Sequence, residues 1–192
     1  MKKTLSVIFA VIFAMSALVS ASAIGLVNPD NLKSNVATYM GYDESKIQDF
    51  NYVKSTQNLL DYYTVTFKYN GVGYTIGVDA LGIYADYSSN SKKMIVPAVE
   101  SKACISEATA KGYALREAEN TASADAIFKT EKFEKKNGVA YYSYDFLSKT
   151  AEWNVDVNAY TGAIISSTKT EKNAIVMIFI RLFAKLAALF AF

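Results

Sequence analysis

The sequence predicts an α+β chain built from two repeated units, each one helix packed on an antiparallel sheet of three or four strands. Three observations predict it. Tyr63, Val65 and Phe67 recur as Tyr142, Tyr144 and Phe146, and Tyr74, Ile76 and Val78 recur as Trp153, Val155 and Val157. Upstream, the helix-spaced stripe Leu32, Val36, Met40 recurs as Ala110, Ala114, Ala118. The offset stays at about 78 or 79, which is the mark of a duplicated structural unit.

The order of elements follows from local chemistry. In the first unit, residues 24–87, Asn28 suits an N-cap, Pro29 the first helical position and Asp30 the positive end of the helix dipole. The apolar stripe then runs to Gly41, a stop signal. Ile47 to Lys54 reads as a first strand. Leu60 to Tyr69 alternates, with Tyr63, Val65, Phe67 and Tyr69 on one face and Thr64, Thr66 and Lys68 on the other. Asn70-Gly71 signals a hairpin. The returning strand points Tyr74, Ile76 and Val78 inward, and Ile83 to Tyr87 closes the unit.

Residues 88–102 read as a linker, polar at first and interrupted by Pro97. The second unit, residues 103–170, repeats the plan. Ser106 can cap its helix, Lys136-Asn137-Gly138 turns between strands, and Tyr160-Thr161-Gly162 leads into the last strand. Each sheet would have one covered face. The other would carry Thr64, Thr66, Thr75, Asp79, Ser143, Asp145, Asn154 and Asp156, either as an ordinary wet surface or as a concave binding surface between the two units.

The two ends read differently. Lys2 and Lys3, the apolar run Leu5 to Val19 and Ala21-Ser22-Ala23 have the anatomy of a secretory signal peptide over residues 1–23. The expected location is therefore extracellular or in the cell envelope. Residues 171–192 form a hydrophobic tail. Arg181 and Lys185 lie four residues apart near its centre, where each would cost about 2.5–3.5 kcal/mol inside a bilayer. Phe179, Leu182, Phe183, Leu186 and Phe190 surround them. These seven residues are the candidate membrane contacts of an amphipathic interfacial helix. A transmembrane anchor and a helix docked on protein are the alternatives.

Composition narrows the chemistry. The chain has no histidine, which excludes Ser-His-Asp and Cys-His nucleophilic sites and His-ligated zinc. One cysteine, Cys104, excludes thiolate clusters and an internal disulfide; it reads as a small buried residue at a helix start. Carboxylate-only chemistry stays open, but no pair of acids is set apart. Loss of Lys2 and Lys3 with the signal brings the net charge to about zero, and no basic stripe offers a footprint for nucleic acid. No cofactor or metal is expected.

The stretch ISEATAKGYALREA at Ile105 to Ala118, YYSYDF at Tyr141 to Phe146 and WNVDVNAYTGAII at Trp153 to Ile165 resembles the PepSY domain. The matching positions are Ile105, Ser106, Ala110, Ala114, Leu115, Ala118, Val157, Ala159, Thr161, Gly162 and Ile164. Gly41, Val78, Asp79, Ala80, Gly82 and Ile83 match more weakly in the first unit. Asn158 stands where the family usually has Asp, and Glu119 where it usually has a helix-ending Gly. The resemblance implies a helix-on-sheet fold. It also implies a non-enzymatic role in binding, modulating or inhibiting a peptidase or another envelope protein, with no catalytic residues to carry over. The alternative function is a membrane-surface adaptor attached through the tail.

Overall fold

A computed structural model of the chain describes residues 27–57 and 60–173, together with Phe179 and Leu182. The expected signal peptide lies outside the described residues.

The elements run α1 (Leu32–Met40), β1 (Gln48–Gln57), β2 (Leu60–Tyr69), β3 (Val72–Asp79), β4 (Tyr84–Ser89), α2 (Glu107–Glu117), β5 (Ile127–Lys136), β6 (Val139–Leu147), β7 (Ala151–Asn158) and β8 (Ile164–Glu171). All eight strands join in one antiparallel sheet in the order β1 to β8. This corrects the expectation of two repeated helix-on-sheet units: β4 and β5 meet through Tyr87 and Lys135, so there is one sheet and not two. The physical reason is visible on both sides of that junction. A four-stranded half would leave the edge of β4 unpaired, and free edges are costly to leave open. Gly138 N–H donates to Ala85 O at 2.8 Å and Glu131 N–H to Lys92 O at 3.1 Å. Beneath them, Tyr87 and Phe133 bring their rings to 5.8 Å. The aromatic row therefore runs unbroken from Phe67 and Tyr74 through Tyr87 and Phe133 to Tyr142 and Tyr144.

One cluster of buried side chains lies between the sheet and the two helices. It takes in the alternating residues of β2, β3, β6 and β7 along with Leu32, Val36 and Met40 of α1 and Ala110 and Ala114 of α2. Ala110 and Ala114 of α2 are fully buried, so this helix sits close to the sheet and the aromatic side chains fill the space.

Local chemistry explains the ends of the elements. Asn28 Oδ1 accepts from Asp30 N–H at 3.0 Å and starts a short 3₁₀ turn that leads into α1. Ser106 Oγ accepts from Thr109 N–H at 3.1 Å and caps α2. The hairpins β2–β3 and β5–β6 turn on Asn-Gly pairs with positive φ at both residues: 49° and 78° at Asn70-Gly71, 50° and 79° at Asn137-Gly138. These are the angles a tight two-residue hairpin needs. Helix α1 ends on Gly41 at φ 75°, whereas α2 is followed by Glu119 and Asn120 at φ 57° and 55°. Glu119 thus adopts the left-handed conformation that a glycine would take without strain.

The segment read as a linker is partly folded. Its first residues, Ser88 and Ser89, belong to β4. Ala98 and Val99 N–H donate to the carbonyls of Met40 and Tyr39 at the end of α1. Glu100 follows in a 3₁₀ turn and is buried. Its Oε1 accepts from Tyr39 OH at 2.9 Å and from Lys135 Nζ at 2.7 Å, and its Oε2 from Tyr160 OH at 2.7 Å. The side chains of Glu100 and Lys135 are only 8% and 11% exposed. Burial, reinforced by the Glu100 carboxylate, pushes both tyrosine hydroxyls well above their ordinary range, so they stay donors. A buried ion pair broken on one side leaves an uncompensated charge, which costs about 3–5 kcal/mol. Glu100→Gln is therefore expected to lower the unfolding free energy by roughly that amount in urea titration.

Candidate binding surface

The sheet face opposite the helices is built from the alternate residues of each strand. Register places Tyr62 across from Asp79, Thr64 from Gly77 and Thr66 from Thr75 on β2 and β3. On β6 and β7 it places Tyr141 across from Asn158, Ser143 from Asp156 and Asp145 from Asn154. Because β4 joins β5, these rows lie on one continuous surface.

A polar strip crosses the middle of that surface. Tyr62 OH donates to Asp86 Oδ2. Its ring end lies directly over Gly77, where an added Cβ would collide with the hydroxyl, so only glycine leaves room for it. The second oxygen of Asp86 accepts from Asn137 N–H at 3.0 Å, across the β4–β5 junction. Tyr141 OH donates to Glu134 Oε2 at 2.9 Å, and Ser166 Oγ to Asp156 Oδ2 at 2.7 Å. Burial raises the Tyr62 and Tyr141 hydroxyls, with their carboxylate partners adding to the shift. Each tyrosine is thereby kept as a donor and tied to its carboxylate.

Charge is mixed along the rest of the face. Lys129 and Lys172 both pair with Glu152. These contacts hold the Glu152 carboxyl below its ordinary range. Asp145 is different: partial burial raises its carboxyl, with Lys129 opposing and Glu152 adding to the rise. An open cleft of about 590 Å³ lies at the other end, lined by Asp49, Thr66, Lys68, Thr75, Ser88 and Asn90. A second, of about 460 Å³, opens on the helix side of the sheet, beside Lys92, Lys93, Phe128 and Glu107 of α2.

The residues singled out from the sequence fall into three groups. Thr66, Thr75 and Asn154 are exposed on this face, and Thr64, Ser143, Asp145 and Asp156 are half-buried there. Asp79 belongs to a turn: its Oδ1 accepts from Leu81 N–H at 2.9 Å and Ile83 N–H at 2.8 Å. Asn158 does the same work, accepting from Tyr160 and Thr161 N–H at 3.0 Å each. An amide oxygen serves there as well as a carboxylate, so the Asp-to-Asn difference needs no functional explanation. Of the candidate membrane contacts, Phe179 and Leu182 are helical and 56% and 53% exposed. Arg181, Phe183, Lys185, Leu186 and Phe190 lie outside the described residues. Among the described residues no helix is long and apolar enough to cross a membrane, and no cluster of acids and cysteine could hold a metal ion. Cys104 is half-buried, and burial pushes its thiol up to about 12, with Glu100 adding to the rise. Sequence reasoning missed the Asp86–Asn137 contact, which forms only through the β4–β5 junction, and the seat of Tyr62 over Gly77, which needs β2, β3 and β4 in register.

No family model and no curated protein matches the chain. Two solved structures show a distant likeness. One, described as a lipoprotein from Clostridium difficile 630, is 18% identical, with 64% of this chain and 84% of that one covered, at a TM-score of 0.32. The other is the C-terminal domain of YpeB from Bacillus megaterium, 10% identical, with 78% and 100% covered, also at 0.32. At that TM-score the likeness carries no argument about fold or function.

The raised carboxyl of Asp145 makes a pH prediction. A carboxyl raised in the folded state binds its proton more tightly there than in the unfolded chain, so folding loses stability as pH rises through the carboxylate range. Asp145→Asn should therefore stabilise the protein at pH 7. The gain should vanish in acid, below both carboxyl pKa values, when urea unfolding is repeated across that range.

Proposed function

We propose that the chain is an exported, non-enzymatic binding protein that modulates or inhibits a peptidase, or holds another cell-envelope protein, on the uncovered face of its sheet. The observation that carries this reading is the face itself. It is a broad, continuous surface in which Tyr62, Asp86, Glu134 and Tyr141 are fixed by hydrogen bonds before any partner arrives. Preorganised polar groups lose little freedom on binding. The PepSY resemblance of Ile105 to Ile165 supports the same class of role, and the signal-like N-terminus supports export.

A second reading has a specific observation behind it. Phe179 and Leu182 lie one helical turn apart and are both more than half exposed. Together they make an apolar spot on the tail suited to a membrane surface.

One experiment separates the readings. The purified full chain is added at increasing concentration to the secreted fraction of its host, and peptidase activities are followed one by one. Dose-dependent loss of a single activity is the expected result. Undiminished activity throughout would remove the inhibitor reading, and recovery of the chain on sedimented anionic vesicles would then favour the tail-anchored adaptor.

A further inference from the structure

The two edges of the sheet are not equally protected. The last strand, β8, carries Lys169 and Glu171 along its length, and charges of this kind discourage edge pairing. At the other edge, residues 51–56 of β1 are exposed on both faces, with no helix over them among the described residues. Between Asn51 and Gln57 the only charged residue is Lys54. Val53 is 63% exposed and Tyr52 40%. A bulge between Gln48 and Asn51, with Asp49 at φ 50°, limits the regular strand to its second part.

We propose that this edge pairs with the same edge of a second copy, antiparallel about a twofold axis at Val53. The register follows from face and charge. Side chains alternate between faces, and facing residues must share a face, so a twofold axis passes through a residue and not between two. An axis at Lys54 would set the two Lys54 side chains against each other, each already paired with its own Asp61 at 2.8 Å, and leave the two ammonium groups as like-charged neighbours. An axis at Tyr52 would draw the bulged residues into the pairing. An axis at Val53 sets the two exposed valines together, Asn51 against Ser55, and each Tyr52 beside the Lys54 of the other copy, with Lys54 still paired to Asp61 and Tyr52 edge-on to Tyr63 within its own chain. Helices α1 and α2 of both copies stay on one side of the enlarged sheet, because an axis perpendicular to the sheet preserves its faces. A strand pair this short buries less than a standard interface, so the dimer forms at high protein concentration.

Cross-linking tests the register directly. The full chain carrying Cys104→Ser is prepared with a single cysteine at position 53 or position 55 and oxidised mildly. Opposed residues of an antiparallel pair have Cα atoms about 4.5–5.5 Å apart, within reach of a disulfide. Val53→Cys is expected to give at least ten times more disulfide dimer than Ser55→Cys, whose two thiols would lie about 13 Å apart at strand spacing. Sedimentation of the unmodified chain should show a dimer that grows with concentration. Equal cross-linking at the two positions would overturn the proposal, as would a chain that neither cross-links nor self-associates and leaves the edge free for an extended peptide of another protein. Selective linkage of Val53→Cys to Thr168→Cys in a mixture, with neither linking alone, would place β8 of the next copy there and also overturn it.

Discussion

The buried carboxylate of Glu100 is the contact on which the arrangement of this molecule depends. It gathers groups from four parts of the chain: Tyr39 from α1, Glu100 itself from the connection, Lys135 from β5 and Tyr160 from the turn after β7. Taking a carboxylate and an ammonium out of water is expensive, and the cost is repaid only when both are paired and further hydrogen bonds complete the site. Both oxygens of Glu100 are used here. Among the described residues no buried side-chain polar atom lacks a partner. A network of this kind constrains geometry more than it adds net stability. It fixes where β5 lies relative to α1, and so where the second set of strands meets β4.

That placement makes the open face continuous. Strands β4 and β5 share one register pair, Tyr87 with Lys135. These neighbours on the covered side have opposite characters: Tyr87 joins the aromatic row, while Lys135 reaches Glu100. On the opposite side, the same junction brings Asp86 to Asn137 and completes the polar strip. Core, ion pair and candidate binding surface therefore meet at a single crossing of two strands. The free edge of β1 lies at the far side of the sheet from β8, so pairing there would leave the polar strip unobstructed.

Much of the local structure was legible in the sequence, and the reasons are local. The alternation of Tyr63, Val65 and Phe67, and of Tyr142, Tyr144 and Phe146, reports a strand with one buried face whatever lies beside it. The Asn-Gly pairs specify their turns because few residues accept both angles. Ser106 caps α2 through an atom three residues away. What failed was the step from elements to architecture. The repeated pattern suggested two closed units, yet repetition says nothing about whether the last strand of one half pairs with the first of the next. Glu100 sits in a segment whose polar composition resembles a linker, and its partners lie 35 to 61 residues away. Nothing in the sequence singled out Asp86 or Tyr62, since the empty Cβ position of Gly77 that admits the tyrosine is a tertiary fact.

The central claim is that the eight strands form one cooperative sheet and not two jointed units. Urea unfolding followed by two probes tests it most directly. Fluorescence of Trp153, the chain's single tryptophan, reports on β7, and hydrogen exchange of the α1 and β2–β3 amides reports on the other half. One sheet and one core predict coincident transitions with the same midpoint and slope. A first half that opens at lower urea while Trp153 remains native would contradict the account.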